Sequence, residues 1–158
     1  MSIPIRIAIQ AADIDLQAEV AALTAEAGST DIGAVVTFTG ICRSDDGKLA
    51  ALELEHYPGM AEAEIRRIAE KAAERWPVQG LTAIHRFGRI PPGETIVLVI
   101  AASPHRQAAF EAASYLMDFL KTRAPFWKKE HFADGTEGGW VDAREADDEA
   151  AARWHNEG

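Results

Sequence analysis

The sequence predicts a single α+β domain, and three observations carry that prediction. Apolar runs near residues 3–9, 33–41, 49–57, 81–87 and 95–102 are strand-like, several with the period of two of a half-buried strand. Between them lie segments ending near residues 27, 77 and 123 whose apolar residues recur every three to four positions, the spacing of an amphipathic helix. The 158 residues suffice for one core and show neither an internal repeat nor a clear interdomain linker, so residues 1–158 are read as one domain with 143–158 as a C-terminal tail.

Each element has a local cause. Ile3, Ile5, Ile7 and Ile9 alternate with other residues and define the first strand. Asp13 or Asp15 can cap a helix that carries Leu16, Val20 and Leu23 on one side and stops at Gly28. In the strand at 33–41, Ala34, Val36 and Phe38 share a face, and Gly40 suggests a bulge or a close backbone approach. Polar residues 44–48 form a turn into the returning strand at 49–57. Pro58 opens a helix closed by Pro77, with Met60, Ala61, Ile65, Ile68, Ala69 and Ala72 on its apolar face. The sequence IPPGE at 90–94 reads as a tight turn joining hairpin partners at 81–87 and 95–102. The last long helix, ended by Pro125, is expected to bury Ala109, Phe110, Ala113, Leu116, Met117 and Leu120. Residues 126–132 and 139–141 read as short strands, and the Asp/Glu/Ala-rich tail from Ala143 as a frayed or docked terminal helix.

Charge narrows the function. The chain nets −9, yet residues 105–130 net +2, so its cations gather in one helix and the strand that follows. A field that repels anions overall but concentrates Lys and Arg beside Phe126 and Trp127 points to a specific small anion and away from nucleic acid. No apolar run approaches the roughly 20 residues of a membrane span. The opening MSIPIRIAIQ lacks the features of a signal peptide, which makes a cytoplasmic location the expectation. Cys42, the single cysteine, cannot form an intrachain disulfide, and the histidines lack metal-ligand spacing, so neither a metal nor a cofactor is expected.

The candidate residues follow from position. His105 and Arg106 open a helix whose unpaired N–H groups and dipole suit a phosphate. Lys121 lies at the other end of that helix. Lys128 and Lys129 alternate on a strand, so only one can face a given pocket, and Lys128 is preferred. Arg43 emerges where a strand stops. Cys42 beside it is read as a small buried hydrophobe in preference to a thiol nucleophile. Arg106 and Lys121 are fifteen positions apart, about 22 Å along an α-helix, so both can serve one small ligand only if the site is shared across a dimer.

With these residues assembled, the chain resembles the large, catalytic subunits of molybdopterin synthases. The resemblance rests on VVTFTGICR at 35–43, LELEHYPGMAEAEI at 52–65, HRFGRIPPGE at 85–94, SPHRQAAF at 103–110, MDFLKTRAPFWKKE at 117–130 and WVDARE at 140–145. Cys42 departs from it, an aliphatic residue before Arg43 being more familiar. The resemblance implies an α/β hammerhead fold with an additional antiparallel β subdomain. It also implies a central homodimer within a heterotetramer, carrying a small ubiquitin-like sulfur-carrier subunit at each end. That subunit would deliver sulfur as a thiocarboxylate on its C-terminal Gly-Gly tail to cyclic pyranopterin monophosphate, forming the dithiolene of molybdopterin in molybdenum cofactor biosynthesis. By motif position the substrate site maps to Ile41, Cys42, Arg43, His105, Arg106, Lys121, Lys128, Lys129 and Glu130, with Lys121 and Lys128 catalytic. The alternative is a non-catalytic anion-binding adaptor that docks a ubiquitin-like tail without turnover.

Overall fold

The computed structural model describes residues 2–28 and 30–142, which form three helices and eight strands. The chain order is β1 (Ile5–Gln10), α1 (Leu16–Glu26), β2 (Ala34–Ile41), β3 (Leu49–His56), α2 (Met60–Arg75), β4 (Gly80–Arg86), β5 (Gly88–Ile90), β6 (Thr95–Ser103), α3 (Arg106–Arg123), β7 (Phe126–Phe132) and β8 (Val141–Asp142). The expected terminal helix lies outside the described residues.

Two sheets result. The first has the order β1-β4-β6-β2, with β1 and β4 parallel and the other pairs antiparallel. Alternation along its strands splits the core into two layers. Ile5, Ile7 and Ile9, with Leu81, Val97, Val99 and Ala101, pack toward α2 and α3. Ala8, Ile84, Leu98, Ile100 and Ala102 pack instead toward Leu23 and Val20 of α1. The second sheet, β5-β3-β7-β8, is antiparallel throughout and has its own small core around Leu49, Leu54 and Ile90. This is the α+β domain with an added antiparallel unit that the sequence predicts.

The helix ends follow their sequence signals. The Asp15 carboxylate accepts from the Ala18 N–H at 3.1 Å, fixing it over Asp13 as the cap of α1. Pro58 stands two residues ahead of α2, where the Glu62 carboxylate accepts from the Gly59 N–H at 3.4 Å.

Three expectations are corrected. Residues 87–94 are more than a turn: Gly88, at φ +89°, swings the chain out of the first sheet so that β5 can pair with β3, before β6 returns to β4. Three residues are too few to show periodicity. Phe110 is 59% exposed where burial is expected, and Phe119 and Tyr115 are buried in its stead, because α3 turns its Ala109–Leu116 stripe to the sheet. Leu16 and Met60 likewise sit exposed at the first turns of their helices, beyond the edge of the packed faces.

Gly40 does lie at an irregularity, where the β2–β6 register shifts, and an added Cβ there would come within 2.7 Å of Val97. A tighter constraint acts at Gly33. A Cβ at that position would stand 2.0 Å from the Pro104 carbonyl oxygen, while the Gly33 N–H donates to the Ser103 carbonyl at 3.1 Å. This close backbone approach ties the start of β2 to the start of α3. Gly33→Ala is therefore expected to destabilise the fold by about 1–3 kcal/mol, since backbone and not a flexible side chain must move; urea unfolding of the two proteins measures it, and equal midpoints would show that the approach is not enforced.

Candidate active site

The first sheet sorts the candidate residues into two ends. Ala34 pairs with Ser103 at the end that carries His105 and Arg106, whereas Ile41 pairs with Thr95 at the end where His85 pairs with Val97. The eight residues of β2 separate these ends by about 25 Å at 3.3 Å per residue. Arg106 and Lys121 lie on one continuous helix, so the long separation read from the sequence holds within one chain.

At the β2 C-terminal end, Cys42 and Arg43 are held by the turn that precedes β6. The Cys42 N–H donates to the Glu94 carbonyl at 2.9 Å, and the Gly93 N–H donates to the Cys42 carbonyl at 2.8 Å. Glu94 is in turn fixed by the buried Arg86, whose guanidinium donates to its carboxylate at 2.9 Å and to the Ala11 carbonyl. Ile41 and Arg43 are exposed, but Cys42 is 4% exposed and packs with Leu49, Leu54 and Ile90. Burial pushes its thiol pKa up, reinforced by Asp45 and Glu94. This is the environment of an inert core thiol.

Lys121 sits at the rim of a cavity of about 490 Å³ between β2 and α3. Its walls are largely apolar: Val36 and Phe38 from the strand, Phe110, Ala113 and Met117 from the helix. Beside it the second sheet delivers β7. Phe126 of that strand stacks on His85 with centroids 3.9 Å apart and packs against the main core. Strand alternation therefore turns Lys128 and Glu130, which share the Phe126 face, toward this end of the molecule. Trp127, Lys129 and His131 take the other face. There Lys129 pairs with Glu137 at 3.0 Å and lies over the Trp140 ring, and His131 meets Glu53 at 2.8 Å. The two lysines thus have different surroundings.

Two histidines join the site without having been singled out from the sequence. Burial pushes the His85 pKa down to about 4; the hydrogen bond to Arg86 opposes this, while the charges of Lys121 and His56 add to it. Its Nδ1–H donates to the Arg86 carbonyl at 2.8 Å, which leaves Nε2 as the acceptor of a neutral ring. His56 packs on Phe87, and its Nδ1 is buried without a hydrogen-bond partner among the described residues. Both stand in the HRFGRIPPGE and LELEHYPGM motifs, but twenty-nine positions separate them, and only the packing of β3 and β4 around Phe126 shows that they are neighbours.

Fold and cleft together define a class: α+β proteins with a mixed sheet, a second antiparallel sheet and an apolar cleft between an edge strand and a long helix. The chain belongs to the family described as MoaE protein, which matches residues 9–123. A molybdopterin synthase catalytic subunit from Mesorhizobium japonicum is 69% identical over 146 residues, spanning 92% of this chain and 91% of its own. The molybdopterin biosynthesis MoaE protein from Burkholderia ambifaria superposes with a TM-score of 0.81 at 49% identity, over 95% of this chain and 97% of that one. The fold also recurs in the complex of subunits 1 and 2 of molybdopterin-converting factor from Helicobacter pylori, with a TM-score of 0.69 at 23% identity, covering 89% and 90%.

A neutral His85 has a consequence for stability. Its folded pKa lies below the ordinary 6.5, so its contribution is fully present above pH 6.5 and is lost as pH falls toward about 4. The loss is at most about 3 kcal/mol. Urea unfolding across that range should show this slope, and His85→Phe, which keeps the ring stack but cannot titrate, should flatten it; a variant with the parent's pH profile would mean that His85 is not held neutral.

Proposed function

We propose that this chain is the catalytic subunit of a molybdopterin synthase and transfers sulfur from the C-terminal thiocarboxylate of a small ubiquitin-like subunit to cyclic pyranopterin monophosphate. What supports the reading is the His85–Phe126 stack beside an apolar cleft: the charge of Lys121, from α3, acts on His85, and Phe126 shares its face of β7 with Lys128. In this reading Lys121 is the principal acid/base or acyl-handling amine, and Lys128 is a second cation beside the thiocarboxylate. The neutral His85 lets both lysines approach without adding a third charge. Arg43, His105 and Arg106 hold the phosphate and pterin, helped by the N–H groups that open α3. Such a reaction belongs in the cytoplasm, where its soluble substrate and carrier meet.

The reading also requires a homodimer, because one α3 cannot bring Arg106 and Lys121 to one ligand. The exposed Phe38 and Ile41 on the edge strand β2, with Phe110 on α3, form an apolar surface that a second copy would cover. The small subunit then completes a heterotetramer.

The direct test incubates the protein with a thiocarboxylated small subunit and the cyclic precursor and measures dithiolene product. Lys121→Ala should lower turnover by at least about a hundredfold while small-subunit docking persists, as removal of a general acid–base group does. Lys128→Ala should be severely impaired and Lys129→Ala mild, since the Lys129 charge is already engaged by Glu137 on the opposite face. Equal turnover of Lys121→Ala and parent would favour an adaptor that docks the tail without chemistry.

The shared site predicts complementation. Arg106→Ala and Lys121→Ala homodimers should both be weak, whereas mixed dimers carrying one lesion in each protomer should recover about half of the parent activity per dimer, because both lesions fall in one of the two sites. Co-expression with two affinity tags isolates the mixed species. Activity no higher than that of the homodimeric variants would place either Arg106 or Lys121 outside the substrate pocket.

A further inference from the structure

Strand alternation does not by itself aim Arg43. The β2–β6 register shifts between Gly40 and Ile41: Gly40 faces Val97 but Ile41 faces Thr95, and Ile96 has no opposite number in β2. An extra residue of this kind bends its strand and re-aims the side chains around it. The direction of Ile41, Cys42 and Arg43 is therefore set by whatever holds them beyond the shift. Thr95 does so opposite Ile41, and the Gly93–Glu94 turn does so by bonding both backbone groups of Cys42.

Arg86 fastens these same residues. Its guanidinium donates to the Glu94 carboxylate at 2.9 Å and to the Thr95 carbonyl at 3.4 Å, while its other nitrogens reach the Ala11 carbonyl at 3.2 and 3.1 Å. Asp13 stands 3.6 Å from the nitrogen that bonds Glu94. A planar fork of donors holds such partners at set angles, which an ammonium on a flexible stem does not. The Arg86 side chain is only 8% exposed against 41% for Glu94. A cation withdrawn from water needs its carboxylate close, so Glu94 is drawn in toward the sheet together with the turn that grips Cys42.

We propose that Glu94, held by Arg86, is a positioning residue for Arg43: it fixes residues 42–43 so that the Arg43 guanidinium meets the substrate phosphate already oriented. The inference rests on Arg43 being a phosphate contact, as the proposed reaction has it. Glu94 acts through the turn and does not touch the substrate. The benefit is entropic. An exposed arginine on a loose segment gives up backbone and side-chain freedom when it binds, and a segment fixed beforehand gives up less. Loss of the link weakens substrate binding and spares the chemical step, because Lys121 is carried by α3 and not by this turn.

The test is a double-mutant cycle of Glu94→Ala and Arg43→Ala, read as KM for cyclic pyranopterin monophosphate and as kcat with saturating thiocarboxylated small subunit. Glu94 is replaced in preference to Arg86 because its loss leaves the buried cation with Asp13 and the Ala11 and Thr95 carbonyls. Glu94→Ala should raise KM about tenfold, the scale of ordering one long side chain and its segment. Its kcat should change less than about twofold, the pattern of lost ground-state binding. In the Arg43→Ala background it should add nothing. Glu94→Gln, which keeps an oxygen for Arg86, should recover most of the lost affinity. Cys42, buried beside Arg43, gives a readout free of activity: a thiol reagent should label it several-fold faster in Glu94→Ala as the segment loosens. Effects that multiply in the double variant, a parent-like KM in Glu94→Ala, or a raised KM with unchanged Cys42 labelling would each overturn the positioning role and leave the Arg43 contact in place. A parent-like KM in Arg43→Ala would instead remove Arg43 from the substrate site, which tells the two failures apart.

Discussion

One-sided burial of α3 against the first sheet is the constraint on which the rest of the molecule depends. Ala109, Ala112, Ala113, Leu116 and Leu120 leave water along a single stripe, and the small alanines let the helix lie close to β2 and β6. Each fully buried leucine contributes about 1.5–3 kcal/mol, so the helix cannot roll to present Phe110 without exposing that stripe. A straight helix fastened in this way is a ruler. Its first turn is anchored where Gly33 meets Pro104, and its last turn carries Lys121 to the opposite end of the sheet. The separation of His105 and Arg106, proposed to hold the anion, from Lys121, and with it the case for a site shared between protomers, follows from that geometry.

The second sheet supplies what the first cannot. Through the pairing of β7 with β3 it places a row of side chains across the end of α3, and the pleat gives Lys128 and Lys129 opposite surroundings. Phe126 is the hinge point of this arrangement, since its stack on His85 joins the two sheets through a ring contact. Burial, to which that contact contributes, pushes the His85 pKa down to about 4, so the imidazole near Lys121 carries no charge at neutral pH. Arg86 makes a comparable link through polar groups, joining the β1–α1 connection to the Glu94 turn and through that turn to Cys42 and Arg43.

Most of the fold is legible in local chemistry. The alternation of Ile5, Ile7 and Ile9, the Asp15 cap, the stop at Gly28 and the breaks at Pro77 and Pro125 act through neighbouring residues in the chain, so a linear reading finds them. The charge reversal at residues 105–130 and the burial of Cys42 are legible for the same reason: a local excess of cations and a small apolar side chain within a strand end need no partner to be noticed. The motifs 117–130 and 85–94 carry the family resemblance, and the match to the MoaE protein family agrees with it.

What the sequence determined by itself was the list of elements, the helix length that separates Arg106 from Lys121, and the alternation that separates Lys128 from Lys129. Only the tertiary structure decided which face of β7 turns toward Lys121, because that depends on the Phe126–His85 stack between two sheets. It alone brought His56 and His85 together, moved Phe110 out of the core and placed three residues at 88–90 in a different sheet from their neighbours. These outcomes rest on contacts between residues far apart in the chain, where packing energy summed over many atoms outweighs the weak local preference of any single segment.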